Sequence, residues 1–126
     1  MDGFDFVFRL PVRFNDVDAM GHVNNAVYLT YIEEARIAFL RPLGPTYEHI
    51  ILARAEIDYR SPLRDGEELE VGVRCTRLGR SSFDLVYELR AGGRLVAEAK
   101  SVQVSYDYEQ SAPRPIPDAW RERLAA

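Results

Sequence analysis

Alternating apolar and polar positions open the chain. Between residues 4 and 14 the apolar side chains occupy every second position, a period that predicts a half-buried strand. We place this strand at a sheet edge or a bulge, because Pro11 has no amide hydrogen to donate to a ladder. From about residue 25 to residue 41 the apolar spacing becomes helical and covers most sides, which predicts a long, buried helix. Pro42 and Pro45 end this helix.

Four more segments alternate with the period of strands. They span residues 51–60, 68–76, 83–90 and 95–106. Turn-forming stretches separate them, and in the first segment Ile51, Ala53 and Ala55 are expected to share one face of the sheet. The proline-rich tail that follows is predicted to add a single helical turn near its end.

The order of these elements predicts an α+β protein. One strand, one helix and a meander of four strands give a five-stranded antiparallel sheet with one apolar face to cover. A helix of this length spans about 25 Å, so we expect the sheet to wrap around one long central helix. The outer face of the sheet carries mostly charged side chains. We expect residues 1–126 to form a single domain.

Composition narrows the class of function. Of the 126 residues 47% are hydrophobic and 29% are charged, and the net charge of -4 gives no field that would attract nucleic acid or an anionic membrane. Cys75 is the single cysteine, which excludes an internal disulfide and a cysteine-based metal cluster. The sequence shows neither a signal peptide nor an apolar run long enough to span a bilayer, so we expect a cytoplasmic protein.

Polar side chains collect directly in front of the predicted helix, in the stretch FNDVDAMGHVNNAVYL. Asp16, Asp18 and His22 are all competent metal ligands. Their spacing, however, matches no helical ligand pair, and no second histidine or cysteine lies near them in the sequence. We therefore expect no metal and no cofactor here, and we assign the chemistry to the side chains and the backbone themselves.

The segment DVDAMGHVNNAVYLTYIEEAR resembles the signature of the 4-hydroxybenzoyl-CoA thioesterase-like, or YbgC-like, acyl-CoA thioesterases, and the order of strands and helix extends this resemblance over nearly the whole chain. The matching residues are Asp18, Gly21, Asn25, Tyr28, Leu29, Glu33, Ala35 and Arg36. The resemblance implies the hotdog fold and the hydrolysis of an acyl-CoA or acyl-carrier-protein thioester. It also implies a homodimer, often paired again into a homotetramer, with active sites at the subunit interface.

Thioester hydrolysis requires a carboxylate near the carbonyl carbon and hydrogen-bond donors for the developing oxyanion. By the family pattern, Asp18 aligns with the catalytic acid and the backbone amide of Asn25 with the main oxyanion donor. That amide is expected at a helix end, where the first amides have no partner within the helix. Gly21 allows a tight turn close to a ligand. His22 is included in the site, where it acts as a base, contacts the substrate or serves the structure.

Several neighbouring residues keep two interpretations. Asp16 is interpreted as a turn or cap residue, and Asn24 as the helix N-cap. Glu33 either faces the substrate or braces the loop, and Arg36 is expected to pair with an acid because it interrupts the apolar arc of the helix. Tyr28 is assigned to the substrate site. It belongs to a group of aromatic residues that either line a pocket or fill the core: Tyr28, Tyr31, Tyr59 and Phe83.

Side chains at predicted turns are candidates for binding the phosphates of coenzyme A. Arg77, Arg80 and Ser81 lie in the RLGRSS turn (residues 77–82), and Arg60 lies next to another turn. Arginine suits bidentate phosphate contacts, and solvated turn arginines are the alternative. Two other functions remain for such a fold, namely an acyl-thioester hydratase or dehydratase and a non-catalytic acyl-CoA-binding protein. The motif favours the thioesterase and does not identify the acyl group.

Overall fold

The computed structural model describes residues 1–44 and 49–125. Pro45, one of the two prolines predicted to end the long helix, lies outside the described residues. Short 3₁₀ turns at Phe14–Asp16 and Arg41–Leu43 precede and follow the first α-helix. The strands and α-helices, in chain order, are β1 (Phe6–Pro11), α1 (Val27–Leu40), β2 (Ile50–Tyr59), β3 (Glu68–Leu78), β4 (Ser82–Ala91), β5 (Arg94–Asp107), β6 (Ala112–Pro113) and α2 (Asp118–Ala125).

The described strands form one antiparallel sheet. Its order is β1-β3-β4-β5-β2, and the short β6 pairs with the end of β5. The expectation of a four-strand meander is therefore correct only for β3, β4 and β5. Strand β2 lies at the far edge beside β5, because β1 occupies the other side of β3 and α1 carries the chain across the sheet between β1 and β2.

Strand β1 lies at an edge, as Pro11 indicated, and Pro11 is its last residue. The strand is shorter than the alternation predicted. Phe14 is 79% exposed, because the chain leaves the sheet after Val12 and turns into a 3₁₀ helix. Phe4 packs on the outer face of the sheet against Gly72, where a β-carbon would lie 2.6 Å from the Phe4 ring.

Helix α1 begins two residues later than predicted and ends directly before the 3₁₀ turn that contains Pro42. Its buried side packs against β1 and β3, and Tyr31 and Ala35 are inaccessible to solvent. The expectation of a helix buried on most sides is wrong for the single chain. Leu29 and Ile37 are 47% and 40% exposed, because the sheet covers only one side of α1.

A bulge changes which residues of β2 face α1. The register between β2 and β5 shifts at Ala53. As a result Ile50 and Leu52 share the inner face with Ala55, and Ile51 points outward, which is opposite to the expected alternation. Leu52 is 47% exposed, because α1 packs mainly over β1 and β3 at the other side of the sheet.

The tail contains more structure than the predicted single turn. Strand β6 extends the sheet, and α2 closes one end of the core with the buried residues Trp120 and Leu124. Arg121 donates hydrogen bonds to the carbonyl oxygens of Gly79 and Arg80, which ties α2 to the RLGRSS turn. Among the residues described, no helix is long and apolar enough to cross a bilayer.

Candidate active site

The polar segment in front of α1 folds into a tight loop. The backbone amide of Asp18 donates to the carbonyl oxygen of His22 at 2.9 Å, and Val17 and Val23 form an isolated antiparallel bridge. The turn between these two arms contains Gly21, whose φ of 80° lies in the left-handed region that favours glycine. The tight turn expected at Gly21 is therefore present, and it fixes the two arms of the loop against each other.

Asp18 lies exposed in this loop. Its Oδ1 accepts a hydrogen bond from the backbone amide of Met20 at 2.8 Å, so the side chain is held in an Asx turn. Its Oδ2 has no hydrogen-bond partner within residues 1–44 and 49–125. A carboxylate fixed by one oxygen and accessible at the other has the geometry of a nucleophile or a general base. It also has the geometry of a turn residue, so the catalytic role of Asp18 stays a prediction.

The N-terminal end of α1 presents an amide donor at Asn25. Asn24 caps the turn before the helix, because its Oδ1 accepts from the amide of Ala26 and its carbonyl oxygen from the amide of Val27, both at 2.9 Å. Asn24 is therefore not the N-cap of α1 itself, whose boundary residue is Ala26. No acceptor for the Asn25 amide occurs in the described part of the chain. This donor lies at the positive end of the helix dipole, where negative charge is stabilised.

Asp16 anchors the loop. Its Oδ2 accepts hydrogen bonds from the hydroxyl of the buried Tyr31 at 2.7 Å and from the amide of Arg13 at 3.1 Å, and its carbonyl oxygen accepts from the amide of Asn24 at 3.0 Å. Burial acts to raise the pKa of Asp16, but the hydrogen bonds from Tyr31 and Arg13 outweigh it and lower the pKa. These contacts support the interpretation of Asp16 as a structural residue.

Three of the four aromatic candidates fill the core. Tyr28, Tyr31 and Phe83 are 3%, 0% and 0% exposed, so the described chain does not present Tyr28 on an open surface. Tyr59 is 46% exposed, packs the edge of its ring against Tyr28 and donates from its hydroxyl to the carbonyl oxygen of Asn25 at 2.9 Å. Sequence reasoning missed this contact because it joins β2 to the start of α1, and no local spacing signals it.

Three further polar candidates, His22, Glu33 and Arg36, differ in their burial and in their contacts. His22 is half-buried and Glu33 is exposed. The expectation that Arg36 pairs with an acid is not met among the described residues: its Nη1 lies 3.4 Å from the Tyr87 hydroxyl, which is itself 2.6 Å from the Ser101 hydroxyl. Arg36 therefore borders a buried polar network. Within the same described residues, no group of three or more His, Cys, Asp or Glu side chains is placed to hold a metal ion.

Two of the candidate phosphate ligands are engaged in ion pairs. Arg77 bonds the nearly buried carboxylate of Asp84 at 2.8 Å and the hydroxyl of Ser82 at 2.8 Å. The hydrogen bond from Arg77 lowers the pKa of Asp84, against the opposing effect of burial. Arg60 bonds Glu98 at 2.9 Å. A phosphate would have to compete with these carboxylates for both guanidinium groups.

The sheet separates the two groups of candidate phosphate ligands. The amide of Arg60 donates to the carbonyl oxygen of Val96, whereas the amide of Ser105 donates to the carbonyl oxygen of Ser81 in the RLGRSS turn. Val96 and Ser105 are nine residues apart on β5, which corresponds to about 30 Å along an extended strand. The loop that carries Asp18 contacts the segment after β2, at the Arg60 end. One chain therefore does not bring the exposed Arg80 close to Asp18.

Comparisons with known proteins agree on one family. The model of the thioesterase-like superfamily matches residues 12–124. The 1,4-dihydroxy-2-naphthoyl-CoA hydrolase of Synechococcus elongatus is 30% identical over 95% of this chain and 95% of its own. The acyl-CoA thioester hydrolase YbgC of Escherichia coli O157:H7 is 30% identical over 88% of this chain and 90% of its own. A thioesterase from Thermus thermophilus, solved in complex with coenzyme A and Zn, is 42% identical over 98% of this chain and 94% of its own, with a TM-score of 0.91.

Proposed function

The chain belongs to the thioesterase-like superfamily and is a thioester hydrolase with the hotdog fold, and on this premise we propose that it hydrolyses acyl-CoA thioesters at the loop that carries Asp18. Two relatives are named as hydrolases of CoA thioesters, and the similar Thermus thermophilus thioesterase is complexed with coenzyme A. These similarities favour hydrolysis over the hydratase and the non-catalytic binding protein, and they favour coenzyme A as the thiol half of the substrate.

One observation carries the proposal: the accessible carboxylate of Asp18 and the amide of Asn25, which has no acceptor among residues 1–44 and 49–125, belong to the same loop. The amide donates to the thioester carbonyl oxygen as that oxygen becomes negatively charged, at the positive end of α1. Asp18 either attacks the carbonyl carbon or removes a proton from an attacking water. By either route one water is consumed, and the carboxylic acid and the free thiol of coenzyme A are released.

The active unit in this proposal is a homodimer in which the β2 strands of two chains pair edge to edge. The inner face of β2 carries Leu52 and Tyr59, which are 47% and 46% exposed, and α1 adds the exposed Leu29 and Ile37. An edge strand with exposed apolar side chains requires a cover. Strand β1 is the other edge, but it is shorter and ends in Pro11, so it is the poorer partner for a second sheet.

Pairing of two antiparallel β2 strands would also complete the substrate site. It would bring the Tyr59 end of one chain beside the Ile50 end of the other. The Ile50 end lies next to Ser105, which contacts Ser81 in the RLGRSS turn. The dimer would therefore place Arg80 of one chain near the Asp18 loop of the other. Within one chain Arg80 lies far from the Asp18 loop, whereas in this dimer Arg80 of one chain could bind the phosphates of a coenzyme A whose thioester lies at the Asp18 loop of the other.

A substrate panel tests the proposed activity. Aliphatic, benzoyl-type and naphthoyl-type CoA thioesters are mixed with the protein, and a thiol-reactive dye reports the released thiol. We expect turnover of at least one acyl-CoA, and a lower KM for it than for the pantetheine thioester of the same acid, which lacks the nucleotide. Binding of acyl-CoA without thiol release across the panel would contradict the proposal and favour the non-catalytic alternative.

A further inference from the structure

Tyr59 connects the end of β2 to the first turn before α1. Its hydroxyl donates a hydrogen bond to the carbonyl oxygen of Asn25 at 2.9 Å. Its ring packs edge-on against Tyr28, with 5.0 Å between the ring centroids, and Tyr28 is buried. The ring of Tyr59 is therefore fixed from one side by the core, and its hydroxyl reaches the residue whose amide is the proposed oxyanion donor.

The backbone of this turn explains why the hydroxyl is needed. In a regular α-helix the carbonyl oxygen of Asn25 would accept from the amide of Leu29, four residues later. Here the amide of Leu29 donates to the carbonyl oxygen of Ala26 at 3.3 Å, and the amide of Val27 donates to that of Asn24 at 2.9 Å. Each of these bonds spans three residues, and among the described residues no backbone amide donates to the carbonyl oxygen of Asn25. Tyr59 supplies the donor that the helix does not.

We propose that Tyr59 is a positioning residue for the oxyanion site: through the carbonyl oxygen of Asn25 it fixes the orientation of the turn that presents the Asn25 amide. This inference rests on the proposed function, since it needs that amide to bind the thioester oxygen. Tyr59 itself takes no part in the bond changes, because its hydroxyl is hydrogen-bonded to the carbonyl oxygen of Asn25. Its contribution is preorganisation, which lets the donor meet the oxyanion without rearrangement during the reaction.

The expected effect is on turnover. Removing an oxyanion donor outright costs about 10²–10³-fold in kcat. Loss of the Tyr59 hydroxyl leaves the donor present but less well directed, so we expect kcat to fall about tenfold. The KM for acyl-CoA should change less than about twofold, because the amide matters mainly when charge develops on the thioester oxygen.

The experiment compares Tyr59→Phe with the matched control Tyr108→Phe. Tyr108 is also half-exposed, also donates from its hydroxyl to a backbone carbonyl, that of Ile50 at 3.3 Å, and also packs edge-on against a tyrosine, Tyr106, at 5.1 Å. Both variants remove one hydroxyl and keep the ring. For each we measure kcat and KM with the best acyl-CoA, the melting temperature, and amide hydrogen exchange over residues 24–28.

A tenfold lower kcat with unchanged KM, together with faster exchange of the 24–28 amides, is expected for Tyr59→Phe alone. Similar kinetics and exchange for the two variants would overturn the positioning role, as would a change confined to KM. Asp18→Asn, assayed in parallel, separates this failure from that of the proposed function. If Asp18→Asn is inactive and Tyr59→Phe is normal, only the role of Tyr59 is wrong. If Asp18→Asn turns over normally, the catalytic role proposed for Asp18 is wrong, and the comparison of Tyr59→Phe with Tyr108→Phe still tests the role of Tyr59 at the Asn25 amide.

Discussion

Asp16 and Asp18 are two residues apart and have different surroundings. The carboxylate of Asp16 accepts from Tyr31 and Arg13, whereas that of Asp18 is exposed and accepts from the Met20 amide. Asp16 therefore uses its acceptors to hold the loop, and Asp18 keeps one oxygen accessible. The family pattern distinguished the two in the sequence. The physical reason, a contact between Asp16 and Tyr31 across 15 positions, could not be read from local spacing.

Substitution of Asp18 by asparagine tests its catalytic role. Asp18→Asn keeps the shape and the acceptor for the Met20 amide but removes the charge, the nucleophile and the base. We expect kcat to fall at least about 100-fold with the melting temperature and acyl-CoA binding preserved. Asp16→Asn is the matched control, and it should lower the melting temperature more than kcat because it weakens the Tyr31 and Arg13 contacts. Near-normal turnover of Asp18→Asn would move the role to His22 or Glu33.

Isotope labelling distinguishes the two routes open to Asp18. In ¹⁸O-water, under single turnover with enzyme in excess, attack by Asp18 on the carbonyl carbon expels the thiol and forms a mixed anhydride. Hydrolysis of that anhydride at its aspartyl carbonyl puts unlabelled enzyme oxygen into the first product and label into the Asp18 carboxylate. A general base puts label directly into the product acid. Mass spectrometry of the acid and of the peptide that contains Asp18 gives the answer. Both routes need the accessible Oδ2, so the geometry of the loop allows either.

Asp84 contributes a pH-dependent part of the stability. Its nearly buried carboxylate bonds Arg77 at 2.8 Å and Lys100 at 3.4 Å, and the hydrogen bond from Arg77 holds the pKa below its ordinary value of 3.8 despite burial. A depressed pKa in the folded state means that the stabilisation is fully present above the unfolded-state pKa. It is lost as the pH falls through the folded-state pKa.

We therefore predict that Asp84→Asn reduces the stability at neutral pH and that the difference from the wild type shrinks as the pH falls from about 4 towards 2. Urea denaturation over a series of pH values measures both. Glu70→Gln is the control, because Glu70 pairs with Arg9 on the outer face of β1 and β3, with the two side chains 33% and 62% exposed, and exposed pairs contribute little. A difference between Asp84→Asn and wild type that is constant over the whole pH range would contradict the role of Asp84.

At the scale of elements, the apolar period was sufficient to predict α1 and five of the strands. Helix α1 and strands β1, β3, β4 and β5 bury one side against a neighbour, whereas β2 has no buried residue in the described chain. The apolar period failed where the outcome depends on distant contacts. The bulge at Ala53 and the position of β2 beside β5 are set by the pairing of whole strands. The sequence predicted only a single turn where α2 forms, because Trp120 and Leu124 alone give too short an apolar pattern. Their burial depends on contacts with the end of the core, which are distant in the sequence.

Hydrogen bonds from α2 and β5 fix the RLGRSS turn. The Arg121 side chain donates to the carbonyl oxygens of Gly79 and Arg80, and the Ser105 amide donates to the carbonyl oxygen of Ser81. The exposed Arg80 of this turn is then the side chain available to a phosphate, whereas Arg77 bonds Asp84. We predict that Arg80→Ala raises the KM for acyl-CoA about tenfold, because one charge-assisted hydrogen bond to a phosphate is worth about 1.5–3 kcal/mol.

The KM for the pantetheine thioester of the same acid should not change in Arg80→Ala, because that substrate lacks the nucleotide phosphates. The control Arg9→Ala removes an exposed arginine of β1, at the edge opposite the proposed interface, and should leave both KM values unchanged. Steady-state kinetics with the two substrates gives the comparison. An equal rise in KM for both substrates in Arg80→Ala would mean that the residue serves the structure of the turn.

At the scale of the whole molecule, the described chain leaves one side of its core uncovered. The sequence predicted α1 to be buried on most sides, whereas Leu29 and Ile37 are exposed on α1 and Leu52 is exposed on β2. The apolar pattern of α1 fits an assembled molecule better than a separate chain. The proposed binding of coenzyme A phosphates at the RLGRSS turn requires the same assembly, because one chain holds this turn far from Asp18.

A charge on the inner face of β2 tests this assembly. We predict that the wild type is a dimer and that Leu52→Lys dissociates it, because a lysine on the inner face of two paired β2 strands buries an unpaired ammonium, at a cost on the order of several kcal/mol. Sedimentation gives the oligomeric state, circular dichroism the fold, and the thiol-release assay the activity. The Leu52→Lys monomer should be folded and should lose most of its activity on acyl-CoA, because the Asp18 loop loses the RLGRSS turn of the second chain.

Val7→Lys, on the outer face of β1 at the opposite edge, is the control and should stay dimeric and active. An active wild-type monomer would contradict the composite site, and a Leu52→Lys protein that remains a dimer would place the interface elsewhere.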